Sequence, residues 1–167
     1  MLDLGAAPGG WSLVAAERVG PRGHVIAVDL REVEPADRVT VVRGRVGDPS
    51  LAGRLGAEPF DLVLSDLSPR ISGAYATDHA RSVGLVRDAL ALAREVLRPG
   101  GAFAAKVFAG DLLDELEREL ARSFVEVRRT KPPASREPSS EIYLVGRGRR
   151  REARGSVPDP VPPGADI

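Results

Sequence analysis

The chain has 167 residues, which is enough for one domain of ordinary size. Hydrophobic residues make up 43% and charged residues 29%, a composition typical of a globular protein. Cysteine is absent, which excludes disulfides, thiolate metal sites and thiol nucleophiles. No apolar run approaches the ~18 residues that span a membrane, and the N-terminus lacks a signal-peptide pattern. We therefore expect a cytoplasmic protein that contacts no membrane.

Short β-type runs alternate with helical runs along the chain. Strands are predicted at residues 1–4, 24–29, 39–42, 60–66, 102–108, 124–128 and 140–145. Helices are predicted at 11–19, at 111–122, and along Val83, Val86, Leu90, Ala93 and Leu97. Strands separated by helices form βαβ units. The predicted fold is therefore α/β, a doubly wound and mostly parallel sheet with one antiparallel strand near the C-terminus.

Charge separates along the chain, although 24 basic residues balance 24 acidic ones. Residues 1–127 carry a net charge of −4 and residues 128–154 one of +6, while residues 155–167 hold four prolines. We predict a folded domain over 1–147 and a disordered tail over 148–167 that is first basic and then Pro-rich. The basic segment is either a phosphate-binding patch or a solvated strand edge followed by an unstructured tail. Its members are Arg128, Arg129, Lys131, Arg136 and the arginines within 147–154.

A glycine-rich loop, Gly5-Ala-Ala-Pro-Gly-Gly10, follows the first predicted strand, where nucleotide-type ligands bind in such folds. The dinucleotide fingerprint G-x-G-x-x-G requires glycine where Ala7 stands, and Pro8 has no N–H to offer a phosphate. The loop therefore fits a ligand without phosphates better than NAD, which disfavours an NAD oxidoreductase. The alternative interpretation is a tight turn that binds nothing.

The second predicted strand ends at Asp29, 24 residues after Gly5. An acidic side chain in this place can accept hydrogen bonds from both hydroxyls of a ribose. A solvated strand-terminal carboxylate is the alternative. Together, the loop and Asp29 indicate an adenosine-bearing cofactor with a free ribose, a description that S-adenosylmethionine meets.

Three charged residues are expected to meet beside this loop. Asp66 ends the strand 60–66, Lys106 lies within the apolar strand 102–108, and Glu141 begins the last strand. Ligands bind outside the carboxyl ends of parallel strands, and an antiparallel strand begins at that same edge. Lys106 is one of two lysines in the chain, and lysine, unlike arginine, can lose its proton. We predict that Lys106 is the base toward a hydroxyl and that Asp66 and Glu141 orient it. A strand-end lysine that reaches solvent and two solvated carboxylates are the alternative.

Other candidate residues carry weaker signals. No metal site is expected, because His24 and His79 stand apart without ligand spacing. Tyr75 and Tyr143 either stack on nucleobases or belong to the core.

These motifs, in this order, resemble the FtsJ/RrmJ family of ribosomal RNA 2′-O-ribose methyltransferases, which have a class I, Rossmann-like S-adenosylmethionine-dependent fold. The resemblance runs from about Leu2 to Arg147. It rests on Asp-Leu-Gly-Ala-Ala-Pro-Gly-Gly-Trp-Ser (3–12), Ser-Asp-Leu-Ser-Pro (65–69), Lys-Val-Phe-Ala-Gly (106–110), Lys-Pro-Pro-Ala-Ser-Arg (131–136) and Ser-Ser-Glu-Ile-Tyr (139–143).

The resemblance implies S-adenosylmethionine as the cofactor. By position, Lys106 matches the family's proton acceptor, and Asp66 and Glu141 complete its catalytic group. The implied substrate is a uridine 2′-hydroxyl in large-subunit ribosomal RNA, free or in the subunit, and we expect a monomer. The implied cofactor-binding residues are Gly5, Gly9, Trp11, Asp29 and Asp66.

Two departures from the family's pattern are visible. The family has an aspartate after the third strand that contacts the adenine; Arg45 takes its place here, and Asp48 follows three residues on. The family also has a catalytic lysine in an N-terminal helical segment upstream of the first strand. Because this chain begins at Met1, within the first strand, we expect a misplaced start or a fragment. The alternatives are a catalytically impaired remnant that binds cofactor or RNA, and a methyltransferase of another RNA or of a small molecule.

Overall fold

The computed structural model describes residues 1–131 and 140–151 of the chain. The strands are β1 (Leu2–Leu4), β2 (Val25–Asp29), β3 (Val39–Arg43), β4 (Phe60–Ser65), β5 (Leu97–Phe108), β6 (Phe124–Thr130) and β7 (Glu141–Arg149). The helices are α1 (Gly10–Arg18), α2 (Leu51–Arg54), α3 (Tyr75–Val96) and α4 (Leu113–Ser123). None of the helices in these two ranges is both long and apolar enough to cross a membrane.

The strands form one sheet in the order β3-β2-β1-β4-β5-β7-β6. The pairs from β3 to β5 are parallel, whereas β7 runs antiparallel to both β5 and β6. This confirms the predicted α/β sheet with one antiparallel strand near the C-terminus. The strand order reverses at β1, which lies between β2 and β4, and the crevice at the carboxyl ends of such strands is where ligands bind in folds of this kind.

One face of the sheet is covered by α3 and α4. Val83, Val86 and Leu90 recur on α3 at helical spacing and pack in one cluster with Phe103 of β5, as the apolar pattern predicts. Leu116 of α4 is fully buried in the same cluster. This face therefore contains the main hydrophobic core.

The opposite face is covered more thinly. In the described part of the chain, α1 is the helix that packs there, and its Ala15 and Ala16 form a small cluster with Val25. The neighbouring strand β4 turns Leu62 and Leu64 toward the same side, where they help line an apolar cavity of about 350 Å³ beside α1. The apolar face of β4 is thus only half-covered.

The structure differs from the predicted elements mainly at their ends. β5 begins at Leu97, which was predicted to be helical, because Leu97 pairs with Phe60 of β4. β7 continues to Arg149, four residues beyond its predicted end, because it stays paired with β6 as far as Phe124 and Arg149. A Cβ at Gly146 would lie 2.6 Å from the ring of Phe124. This glycine makes room for the ring and does not end the strand. α2 is a single turn that the apolar pattern did not predict.

Two residues of the predicted tail lie in a strand. Gly148 and Arg149, predicted to begin the tail, belong to β7. Residues 152–167, with the predicted Pro-rich tail, lie outside the described residues, as do Arg136 and Arg154.

Candidate active site

The glycine-rich loop between β1 and α1 packs directly against the segment that follows β4. Gly5 has a φ of +78°, and a Cβ there would lie 2.9 Å from the backbone nitrogen of Leu67. Gly9 has a φ of +132°, a conformation that side chains with a Cβ rarely adopt. Gly5 therefore allows the loop to approach the backbone of Asp66 and Leu67 closely, whereas a Cβ at Gly9 would lie 3.5 Å from the backbone of Glu34.

Asp29, at the end of β2, holds this loop from the other side. Its Oδ2 accepts a hydrogen bond from the backbone N–H of Ala7 at 3.0 Å, and its Oδ1 accepts one from the N–H of Arg31 at 2.8 Å. Each carboxylate oxygen has a second lone pair. Asp29 can therefore accept further hydrogen bonds, including those of ribose hydroxyls.

Lys106, Asp66 and Glu141 come together at the carboxyl edge of the sheet. The Lys106 Nζ lies 2.8 Å from Oδ1 of Asp66 and 3.7 Å from Oε1 of Glu141. The lysine side chain is only 10% exposed, whereas the two carboxylates are 30% and 43% exposed. A nearly buried ammonium requires such partners because burying an unpaired charge is costly. The antiparallel direction of β7 brings Glu141 there, since Glu141 is the register partner of Phe108.

Trp11 and Tyr143 stack beside this group. Their ring centroids are 5.8 Å apart with an interplanar angle of 24°. Tyr143 is the register partner of Lys106, so both residues lie on the α1 face of the sheet. Burial, and then the charges of Asp66 and Glu141, raise the pKa of the Tyr143 phenol, so this hydroxyl remains a hydrogen-bond donor near neutral pH. Both rings are half-buried, and Trp11 also lines the apolar cavity beside α1.

Asp3 is a buried polar residue that the sequence analysis missed. It lies in the middle of β1, fully buried, and its Oδ2 accepts a hydrogen bond from the Ser12 hydroxyl at 2.5 Å. Its Oδ1 is buried without a hydrogen-bond partner in the described structure. Burial raises the pKa of Asp3, the hydrogen bond from Ser12 lowers it, and the charges of Asp66 and Asp29 raise it further. The sequence signal that could have indicated Asp3 is a single polar residue within the apolar run Leu-Asp-Leu.

A comparison of the chain with known protein families matches the description "FtsJ-like methyltransferase" over residues 1–149. The chain belongs to the FtsJ-like methyltransferase family. The match spans all seven strands and confirms the family resemblance inferred from the motifs.

Curated relatives agree with this membership. A protein of Halorubrum lacusprofundi named ribosomal RNA large subunit methyltransferase E is 46% identical over 89% of this chain, which spans 57% of that protein's length. A protein of the same name from Syntrophobacter fumaroxidans is 50% identical over 87% of this chain and 76% of its own length. The chain thus spans little more than half of the first relative and three quarters of the second.

Solved structures show the same fold. A Plasmodium falciparum protein described as a ribosomal RNA methyltransferase superposes with a TM-score of 0.79 at 26% identity, covering 89% of this chain and 85% of its own. Human methyltransferase-like protein 13, in complex with SAH, superposes with a TM-score of 0.60 at 18% identity, covering 92% of this chain and 72% of its own. The fold is therefore that of class I methyltransferases.

The described basic residues of the C-terminal segment, expected to form either a phosphate-binding patch or a solvated strand edge, are divided between two faces. Arg129 forms ion pairs with Asp114 and with Glu117 of α4, whereas Arg128 pairs with Glu126 of its own strand. Side chains alternate along a strand, so neighbouring arginines on β6 point to opposite faces. Near the end of β7, Arg149 donates to the backbone oxygen of Arg94 and Arg150 donates to that of Phe124. On the α1 side, Arg128, Arg147 and Val145 help line a second cavity of about 330 Å³.

Two other candidates have local partners. Asp48, which stands near the expected adenine contact, accepts hydrogen bonds from the backbone and the hydroxyl of Ser50, both at 2.9 Å, and these bonds lower its pKa. Arg45 is exposed beside it.

Among residues 1–131 and 140–151, no three His, Asp or Glu side chains are grouped so that they could hold a metal ion.

Proposed function

We propose that this chain transfers a methyl group from S-adenosylmethionine to a ribose 2′-hydroxyl, expected to be that of a uridine in large-subunit ribosomal RNA. The observation that carries this proposal is the nearly buried Lys106, ion-paired with Asp66 at the edge of the sheet beside the glycine-rich loop. Family membership and the names of the curated relatives support the reaction and the RNA substrate.

The residues around the loop fit S-adenosylmethionine. When bound, this cofactor supplies a methyl group on a positively charged sulfur. The charges of Asp66 and Asp29 act on the buried Asp3, so the loop faces an acidic environment that favours a cationic ligand over a phosphate. Gly5, Gly9 and Trp11 are the proposed loop contacts, and Asp29 is proposed to accept hydrogen bonds from the ribose of the cofactor.

Lys106 is the proposed proton acceptor. A ribose hydroxyl is a weak acid, so its attack on carbon is assisted by a base within hydrogen-bond reach. Nζ must first be neutral, and its own proton can pass to solvent through Asp66 and Glu141, which are partly exposed. The ammonium formed when Nζ accepts the hydroxyl proton is then stabilised by its ion pairs with Asp66 and Glu141. Holding the hydroxyl in line supplies much of the remaining acceleration.

Two of the proposed RNA contacts lie on the same side of the sheet as Lys106. Arg128 and Arg147 extend the α1 face away from Lys106 along β6 and β7, and Lys131 follows β6. Cationic side chains in such a line can contact successive phosphates. Association with the large ribosomal subunit, action as a monomer and a cytoplasmic location stay predictions.

Methyl transfer from labelled S-adenosylmethionine to large ribosomal subunits tests the function. Replacing a general base typically costs about 10²–10⁴-fold in rate, so we expect Lys106→Ala to lose activity by this factor. The matched control is Arg118→Ala, which removes one positive charge from an exposed position on α4. Transfer that is the same in Lys106→Ala and the parent chain contradicts the mechanism. S-adenosylhomocysteine binding without any transfer favours the impaired remnant, and transfer to other RNA alone favours the second alternative.

A further inference from the structure

His79 is a buried histidine on α3, on the face of the sheet opposite Lys106. Its side chain is 4% exposed. Nδ1 lies 2.9 Å from the backbone oxygen of Phe108, and Nε2 lies 3.1 Å from the backbone nitrogen of Leu112. A carbonyl oxygen only accepts and a backbone N–H only donates, so Nδ1 carries the hydrogen and Nε2 accepts. Both ring nitrogens are therefore used, and they join the end of β5 to the start of α4.

Neighbouring residues of α3 hold the same segment. Ser82 Oγ accepts a hydrogen bond from the N–H of Phe108 at 2.9 Å, and the Tyr75 hydroxyl donates to the oxygen of Ala109 at 2.6 Å. The Tyr75 ring also stacks on His79, with centroids 6.5 Å apart. A Cβ at Gly110 would lie 2.5 Å from the imidazole ring, so the turn packs directly on its face. The first turns of α3 thus bind the chain from Phe108 to Leu112 at several points.

This segment is continuous with the lysine. Phe108 is two residues after Lys106 in β5, and its register partner on β7 is Glu141. The N–H of Ala109 donates to the oxygen of Ser140 at 2.7 Å. The backbone that carries Lys106 and meets Glu141 is therefore held between β7 on one side and His79 on the other.

The same turn of α3 also holds the loop that carries Asp66. Asp78, next to His79, accepts hydrogen bonds from the backbone N–H groups of Ser72 and Gly73, at 2.9 and 3.0 Å. This loop begins at Asp66, directly after β4. Adjacent residues of one helix therefore bind the end of the strand that carries Lys106 and the loop that carries Asp66.

We propose that His79 is a positioning residue that sets where Lys106 meets Asp66 and Glu141. Without its two hydrogen bonds, the end of β5 is held by β7 on one side and by only the hydroxyls of Ser82 and Tyr75 on the other, and Nζ shifts relative to the two carboxylates. The effect on methyl transfer rests on the proposed function, whereas the effect on the position of Lys106 does not. A misplacement of about 1 Å costs about 10²-fold in rate, so a moderate shift lowers kcat by about 10- to 100-fold.

Three substitutions separate the two hydrogen bonds. His79→Asn places an amide N–H near the position of Nδ1 and keeps the bond to Phe108. His79→Gln places an amide oxygen near the position of Nε2 and keeps the bond from Leu112. His79→Leu keeps an apolar side chain and neither bond. The control is His24→Leu, which changes the other histidine of the chain, an exposed residue bonded to Thr40 on β3.

The first measurement is the NMR spectrum of the protein labelled with ¹³C at the lysine ε-carbon. The chain has two lysines, so the spectrum has two signals, and Lys131→Arg assigns them. We expect the Lys106 signal to move in His79→Leu, to move less in the Asn and Gln variants, and to stay unchanged in His24→Leu. A Lys106 signal that coincides with that of the parent in all three His79 variants overturns the proposal. Should His79→Leu fail to fold, the Asn and Gln variants decide the same question.

The second measurement compares kcat with cofactor affinity. We expect kcat to fall about 10- to 100-fold in His79→Leu, with partial recovery in the Asn and Gln variants. The dissociation constant of S-adenosylhomocysteine should change less than about two-fold, because His79 contacts the β5–α4 turn and not the Gly5–Gly9 loop. A rise in the dissociation constant of S-adenosylhomocysteine as large as the fall in kcat overturns the positioning role. An unchanged kcat in a variant whose Lys106 signal has moved overturns it as well. If the parent chain transfers no methyl group, the proposed function is wrong. The NMR signal then still tests whether His79 sets the position of Lys106.

Discussion

On one face of the sheet, α3 and α4 bury a continuous core that includes Phe103, Leu116 and Leu144. On the other face, within the described residues, α1 contributes a small alanine-lined cluster, and Leu62 and Leu64 of β4 are only half-buried. Lys106 belongs to this second face, because Ala105 and Val107 on either side of it point into the main core. Packing and the candidate chemistry are therefore on opposite sides of the same strand.

Residues on the face covered by α3 and α4 help to position residues on the α1 face. His79 and Ser82 reach the backbone of Phe108 from the core side, while the side chains of Lys106 and Tyr143 point to the α1 side. A strand transmits such a constraint well because its side chains alternate between faces while its backbone is shared. A site on a thinly covered face can thus be held by groups that never contact its ligands.

The largest expected difference between the two faces is in packing. Phe103→Ala removes a fully buried ring from the core and should lower the free energy of unfolding by about 3–5 kcal/mol. Leu64→Ala, on the half-covered face, should cost about 1 kcal/mol because folding removes less of the apolar surface of this side chain from water. Urea denaturation measures both. Equal losses would contradict the distinction between the faces.

A smaller effect on the free energy of unfolding is expected at Asp3 on the α1 face, where a substitution should stabilise the fold. The pKa of this buried carboxyl is raised in the folded protein, so ionisation destabilises the fold as pH rises above about 4. Asp3→Asn does not titrate and keeps an acceptor for Ser12. We expect it to raise the free energy of unfolding at pH 7 by about 1 kcal/mol and to have little effect at pH 3. Denaturation at the two pH values checks this, and a loss at pH 7 that is absent at pH 3 would show that the charge itself is stabilising.

The smallest effect is expected at an ion pair on the core face. Nη2 of Arg87, on α3, lies 2.6 Å from Oε1 of Glu119, on α4, and its hydrogen bond lowers the pKa of that carboxyl. A lowered carboxyl pKa stabilises the fold above the unfolded pKa, and this stabilisation is lost as pH falls through the folded pKa. Glu119→Gln should therefore cost under about 1 kcal/mol at pH 7, since Arg87 is 40% exposed, and nothing at low pH. A cost that is the same at pH 3 and pH 7 would assign it to packing.

Much of the site could be predicted from the sequence because its signals are local or specific to the family. Strand-and-helix alternation predicted the sheet, and the glycine-rich loop followed the first strand as the pattern required. Lys106 was visible as a charged residue in an apolar strand, and the expected antiparallel last strand brings Glu141 to it. The catalytic and cofactor-binding roles of these residues stay predictions that the experiments above address.

The sequence by itself thus determined the fold class, the family and the residues that meet at the carboxyl edge of the sheet. Only the tertiary structure decided that Arg128 and Arg129 face opposite sides, that Trp11 stacks on Tyr143, and that β7 extends to Arg149. It also decided the partners of His79, which looked like an isolated histidine but binds residues 29 and 33 positions away. The physical reason is that local patterns specify periodicity and turns, whereas hydrogen bonds and ring contacts between distant segments depend on how the elements pack.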